Sequence, residues 1–193
     1  VGGGSYNENS YLMDGVNITD PVTGTFSLNF NFDAIEQLQV LTSAYDPEFG
    51  QNLGGAINIV TDSGGNTLQF KLYGENQNGE WGPKRDDVFA ADGTILAPTD
   101  YDSQFDTKRL SAIVSGPVIR DQLWFVGSYQ YVRTLISQAG VDLPRDFDGH
   151  YILGKLTYSP SASHRITLLG QSDPTTIDNQ NQSSRFIFPE AQS

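Results

Sequence analysis

Side chains suited to proton or metal chemistry are few in this sequence, and they are poorly spaced for it. Two histidines, His150 and His164, occur in 193 residues, and there is no cysteine. Disulfides and thiolate metal sites are therefore excluded. No His-Glu-x-x-His, Gly-x-Ser-x-Gly or P-loop pattern occurs. His164 falls in a turn and His150 at a strand start, places that suit solvated or structural roles. Asp146-Phe147-Asp148-Gly149 begins like a calcium loop but lacks the glutamate that would close the ligand set downstream. No two carboxylates present themselves as the facing pair that glycoside hydrolysis needs. The stretch 76–106 holds Glu80, Asp86, Asp87, Asp92, Asp100, Asp102 and Asp106 against Lys84 and Arg85. It reads as a solvated face, with binding of cations or basic substrates as the alternative. No enzyme activity and no cofactor is expected.

The residue type that does recur with purpose is glycine. Residues 49–66 read FGQNLGGAINIVTDSGGN. Gly50, Gly54 and Gly55 mark tight backbone, Ala56 to Thr61 is a β-branched run, and Gly64 and Gly65 release the chain again. Gly54-Gly55 precedes a strand, not a helix, so the helix N-terminus a phosphate site requires is missing. The glycines are expected to serve close packing and hinging. The net charge of −12, with 11 scattered Lys and Arg, excludes a nucleic-acid partner. Hydrophobic content of 37% and charged content of 18% leave room for many Gly, Ser, Thr, Asn and Gln, a mix that favours strands joined by polar loops.

The elements that must position these glycines differ on the two sides of residue 65. Upstream, Tyr11 to Met13 is a short strand ended by the turn pair Asp14-Gly15. Val16 to Thr19 alternates until Asp20-Pro21. Asp33 is the candidate N-cap of a short helical turn that leads into a strand over 37–41. Downstream, five amphipathic strands are expected over 67–75, 109–116, 122–133, 151–159 and 165–171. Leu68, Phe70 and Leu72 share one face, as do Leu123, Phe125, Tyr129 and Tyr131, and Ile152, Leu156 and Tyr158 oppose Lys155 and Thr157.

The connections after residue 66 run long, short, long, short, long, with long loops at 76–106 and 134–148. A soluble β-sandwich has no reason to keep that parity. A transmembrane β-barrel does, because its turns are short on one side and its loops long on the other. The tyrosines and Trp124 would suit aromatic girdles. No apolar run approaches the length of a membrane-spanning helix. Five strands cannot close a membrane barrel, which needs about eight or more, and an open edge is costly in lipid. The chain, opening on VGGGSYNENS, is therefore expected to be internal to a longer protein. The fold class expected is mainly β. A partial, small mixed α+β domain spans 1–65, and the first strands of a barrel span 66–193.

Three pieces resemble, in order and spacing, the C-terminal half of the plug domain of TonB-dependent outer-membrane receptors. They are Leu12-Met13-Asp14-Gly15-Val16, then Phe32 through Val40, and Phe49-Gly50 through Gly54-Gly55-Ala56-Ile57-Asn58-Ile59-Val60-Thr61. The barrel part is similar to the Oar-like subgroup. Residues 115–125 look like its second hairpin, and Lys155 to Tyr158 with His164 to Thr167 look like its third. Gln39 stands where many receptors carry Glu, and Thr42-Ser43 where many carry Arg-Gly.

The resemblance implies a barrel of about 22 strands blocked by the plug and set in outer-membrane lipid. It implies a TonB complex pulling from the periplasm through a box upstream of residue 1, and a transported substrate whose identity is open. It also implies a structural and gating role for Asp14, Gly15, Gly50, Gly54, Gly55, Asn58, Thr61, Gly64 and Gly65. Two rivals remain: an adhesive or structural surface protein of the same fold, and a soluble extracellular β-rich protein acting on glycans.

Overall fold

The computed structural model describes residues 9–41, 55–81, 88–89, 95–97, 104–137 and 144–179. Two larger β-sheets and a small hairpin account for its strands. The first sheet contains β1 (Ser10–Met13), β2 (Val16–Asn17), β3 (Ile35–Leu41) and β4 (Ala56–Thr61) in the order β2-β1-β4-β3. It is mixed: β1 runs parallel to β4, pairing Ser10 with Ala56 and Met13 with Ile59, whereas β3 and β2 pair antiparallel. Asp14 and Gly15 close the β1–β2 hairpin with φ of 49° and 82°. Positive φ at both central residues is the type I′ geometry that matches strand twist, and it accounts for the Asp-Gly pair.

The helical element is a 3₁₀ turn, Phe32–Ala34. Its cap is Asn31, whose side chain accepts from the Asp33 N–H at 3.0 Å, so the expected cap position moves by two residues. Asn31 can do this because its backbone is extended, as an N-cap's must be, while Asp33 already lies inside the turn.

The second sheet contains β5 (Gln69–Gln77), β8 (Gln104–Ile119), β9 (Leu123–Ser137), β10 (Arg145–Ser161) and β11 (His164–Ser172), in the order β11-β10-β9-β8-β5. Between β5 and β8, β6 (Val88–Phe89) and β7 (Ile95–Ala97) form the separate hairpin, and β12 (Thr175–Asp178) returns to pair with β10. The five expected strands are present, but β8, β9 and β10 reach 16, 15 and 17 residues. Strand therefore reaches into both ends of the loops expected at 134–148 and 76–106: β9 runs to Ser137 and β10 starts at Arg145, while β5 runs to Gln77 and β8 starts at Gln104. Backbone pairing does not require apolar side chains, so the ladder continues through polar strand ends that hydropathy alternation reads as loop. The short connections are 120–122 and 162–163.

Alternation on these strands is reversed relative to a soluble sheet. Positions that point out of the fold are apolar: Phe70, Leu72, Leu110, Val114, Ile152, Leu156, Tyr158, Ile166 and Leu168 are all exposed, Phe70 and Leu168 at 68% each. Positions between them are buried and largely polar: Ser111, Ser115, Ser128, Gln130, Lys155 and Thr157. The barrel reading expects Leu68, Phe70, Leu72, Leu123 and Phe125 to face outward; the first three are exposed, while Leu123 and Phe125 are half-buried. Trp124, expected in a girdle, sits on the polar-facing set of β9, and its indole N–H donates to Asn66 Oδ1 at 2.9 Å.

The chain divides into two compact units, one of residues 1–71, 112–129 and 151–173, the other of 72–111, 130–150 and 174–193. In the first, Met13, Ile18, Phe30, Ile59 and Leu153 form the core, joined by Tyr11, Leu28, Ile35 and Leu169. Ala34, Ile113 and Val126 form a second cluster. Side chains of the N-terminal sheet thus pack with Leu153 of β10 and Leu169 of β11, and Ala34 of the 3₁₀ turn packs with Ile113 of β8 and Val126 of β9. The second unit is polar. Arg133 grips Asp146 through two hydrogen bonds of 3.1 and 2.6 Å, the Tyr131 hydroxyl donates to Asp148 at 2.8 Å, and Arg109 pairs with Glu75.

Candidate functional site

The densest polar contact of the first unit lies where the β1–β2 turn meets the end of β4. Asp14 Oδ1 accepts from the Thr61 N–H at 3.0 Å, and Oδ2 accepts from the Thr61 hydroxyl at 2.6 Å. Gly15 N–H donates to Asn58 Oδ1 at 3.2 Å, and the Asn58 amide donates to Gln39 Oε1 at 3.1 Å. The turn is therefore clamped onto β4, and β4 onto β3, by side chains whose positions the strand register fixes.

Lys155 of β10 enters this clamp from the inward face of the second sheet. Its Nζ donates to Asp14 Oδ2, to the Thr61 carbonyl and to Thr61 Oγ1, each at 3.1 Å. All three ammonium hydrogens are thereby used. The two charged side chains are 4% and 12% exposed. A charge this buried is tolerable only when paired and fully hydrogen-bonded, and both conditions hold. Removing the carboxylate from such a pair costs about 3–5 kcal/mol, because the buried ammonium is left uncompensated. A cleft of about 470 Å³ opens beside the pair, lined by Asp14, Gly15, Asn58, Val60, Ser63, Lys155, Arg165 and Thr167.

A second fastening lies just after β4. Asn66 Oδ1 accepts from the Asp121 backbone N–H and from the Trp124 indole, both at 2.9 Å, and its amide donates to Asp121 Oδ1 at 2.5 Å. Asp121 has a φ of 63° in the short 120–122 turn. The linker is thus tied to that turn. Gly64 makes the approach possible: its φ is +70°, and a Cβ there would come within 2.8 Å of the Phe125 carbonyl oxygen. A third tie is Asn31, 2% exposed, whose amide donates to Ser128 Oγ at 2.7 Å.

Of the residues singled out by sequence, Asp14, Gly15, Asn58 and Thr61 converge on one clamp. Gly55 is buried at the start of β4, its N–H held by Asn9 Oδ1 at 3.0 Å. Gly64 packs tightly, whereas a side chain at Gly65 would meet nothing within 4 Å. Gly50 and Gly54 lie outside the described residues. Three residues that bind the two sheets together, Lys155, Asn66 and Asn31, were not among the site candidates. Lys155 carried a signal: it is a lone cation at an inward position of a strand whose inward neighbours are Leu153 and Thr157. Asn66 and Asn31 carried none, because an asparagine in a loop is ordinary.

The histidines and the two carboxylates of the calcium-like motif are engaged locally, whereas Asp86, Asp87, Asp92, Asp100 and Asp102 of the acidic stretch lie outside the described residues. His164 Nδ1 meets Ser161 Oγ at 3.0 Å across the short turn, and His150 Nε2 lies 3.2 Å from Asp148 Oδ1. Asp146 and Asp148, the start of the calcium-like motif, lie within β10 with their carboxylates engaged by Arg133 and Tyr131. Among the described residues no group of three or more His, Asp or Glu could hold a metal ion.

No protein-family model matches the chain. It is similar to the TonB-dependent transporter Oar of Myxococcus xanthus, with 25% identity over 91% of this chain and 19% of that protein. Its fold is similar to the crystal structure of the siderophore receptor PirA from Acinetobacter baumannii, with a TM-score of 0.60 and 17% identity over 92% of this chain and 25% of that one. The chain therefore spans about a fifth of the curated relative's length and a quarter of the solved chain's.

Proposed function

We propose, taking the chain as part of a TonB-dependent receptor, that it supplies the C-terminal part of a plug (residues 1–65) and the first strands of an outer-membrane barrel (residues 66–193). The whole protein would then move a substrate across the outer membrane with energy delivered by TonB from the periplasm. The observation that carries this reading is the reversed alternation of β5 and β8–β11. Their apolar side chains face out where lipid would lie, and Ser, Thr, Gln and Lys face in, where a plug needs hydrated, exchangeable contacts. Lys155 supports it further, because a single inward cation holds two segments of the plug.

On this reading the short turns 120–122 and 162–163 are periplasmic and the long connections extracellular. The polar outward ends of β9 and β10, with Arg133, Asp146 and Asp148, then stand above the hydrocarbon layer. A soluble glycan-acting protein of the same strand content is disfavoured by the outward leucines and phenylalanines, which a sandwich would pack inside.

Fractionation of cells producing the full-length protein tests the membrane half of the proposal. Recovery with the outer membrane, released only by detergent, is expected, and recovery in a detergent-free soluble fraction would sink it. Coupling is tested by maleimide labelling of Ser63→Cys, which lines the cleft. Labelling that rises with a functional TonB system supports transport, and labelling indifferent to TonB supports the static surface protein.

A further inference from the structure

Lys155 has a companion on the same wall of the cleft. The β10–β11 register sets Lys155 opposite Leu169 and Thr157 opposite Thr167. Arg165, two residues beyond Thr167, falls on that same inward face. It lies toward the short turn at 162–163, four residues along β11 from the point opposite Lys155. At about 3.3 Å per residue this is a displacement of about 13 Å. Arg165 is exposed, and it has no ion-pair or hydrogen-bond partner among the described residues. It lines one cleft with Asp14 and Lys155, and Asp14 is the only carboxylate in that lining. The nearby Asp62 is committed elsewhere: Oδ1 accepts from Gly64 N–H at 2.8 Å, and Oδ2 lies 3.8 Å from Lys71.

We infer that Arg165 is a second seat for Asp14, taken when the N-terminal sheet is drawn toward the short-turn end. The inference rests on the transport reading, which sets the direction of the pull. Asp14 and Thr61 are bonded to each other within the N-terminal sheet, so they travel together, and the contact that must break is the one to Lys155. Breaking it with nothing to follow would leave an uncompensated carboxylate against the wall. Arg165 meets that carboxylate one step further along the direction of movement. Its planar fork donates two parallel hydrogen bonds to a carboxylate and is more weakly hydrated than an ammonium. The wall therefore carries two positions for one anion, the arrangement a two-state element requires. Arg165 is a positioning residue: it guides the plug and touches no substrate.

The test uses the full-length receptor carrying Arg165→Lys, in its own cells. A water-soluble carbodiimide joins a carboxylate to an amine in contact with it, and the links are read by peptide mass spectrometry. Without TonB, the expected link is Asp14 to Lys155 alone. With TonB and an energised inner membrane, a link from Asp14 to position 165 should appear, rising several-fold as the Asp14–Lys155 link falls. A fall of the Asp14–Lys155 link with no link at 165 overturns the second seat and leaves the transport reading standing. A link at 165 equally strong without TonB overturns the two-step order. If neither link responds to TonB, the transport reading itself fails. If Asp14 and Lys155 do not link in either state, the latch is contradicted.

Discussion

At the residue scale, two neighbouring glycines that look alike in sequence differ in what they tolerate. Gly64 combines a left-handed φ with a backbone oxygen where its Cβ would go. Gly64→Ala is expected to destabilise the N-terminal sheet by about 1–3 kcal/mol. Gly65→Ala, which meets open space, should stay within about 0.5 kcal/mol. Thermal unfolding of the two full-length variants in detergent checks the contrast. The latch gives a second asymmetry. Asp14→Asn leaves a buried ammonium without its counter-charge, at about 3–5 kcal/mol. Lys155→Met is expected to cost less, because the Asp14 carboxylate keeps the Thr61 N–H and hydroxyl as donors and the thioether fills the space of the lysine stem. Equal losses for the two variants would show that the charge is not what the site depends on.

Asp20 offers a pH handle. Its carboxylate accepts from Val22 N–H at 2.8 Å and from the Thr23 hydroxyl at 2.9 Å, and these bonds to the ionised form hold its pKa below the ordinary 3.8. A carboxylate lowered on folding stabilises the turn at all pH above the unfolded value, and that contribution is lost as pH falls through the lowered folded value. The turn at residues 20–25 should therefore survive mild acid and loosen only below the usual carboxylate range. Amide exchange at Val22 should follow that titration, and Asp20→Asn should abolish the pH dependence.

At the scale of elements, period-two alternation made the five long strands legible, together with the exposed faces of Leu68, Phe70 and Leu72. The Asp14-Gly15 hairpin was equally plain, and a short link was legible over 117–121, which the structure tightens to 120–122 because β8 runs on to Ile119. Strand ends were not legible. Gln104 to Thr107 and Arg145 to His150 are polar apart from Phe105 and Phe147, and pairing with a neighbouring strand makes them β. The site was legible in half. Asp14 and Gly15 belong to one resembling piece and Asn58 and Thr61 to another, and the parallel β1–β4 register sets the two pieces side by side. Their partner Lys155 is 141 residues from Asp14 in sequence, and no local pattern reports a contact of that range. Nor did any reveal that Asn66 holds both Asp121 and Trp124. Asn66→Ala should free the 120–122 turn while leaving β8 and β9 paired. Hydrogen exchange would then rise at Asp121 and stay unchanged at Val126, and exchange spreading into both strands would contradict so local a role.

At the scale of the whole molecule, the two sheets have opposite requirements. The N-terminal sheet buries Met13, Phe30 and Ile59 as a soluble domain does, yet completes that core with Leu153 of the second sheet. The second sheet gives its polar residues to the inside and its apolar ones to the outside. Such a sheet is stable only if something apolar covers the outside, and lipid is the cover that the transport reading supplies. The absence of cysteine makes this directly measurable. With any cysteines elsewhere in the full-length protein removed, single spin labels can be placed at Leu156→Cys and Leu168→Cys on the outward face and at Thr157→Cys on the inward one, in native outer membranes. If the strands span the bilayer, the two outward labels will be relaxed by oxygen and shielded from a water-soluble nickel chelate, while the label at 157 will be shielded from both. Outward labels open to the nickel chelate, or closed to both reagents like the inward one, would mean that these strands do not face lipid.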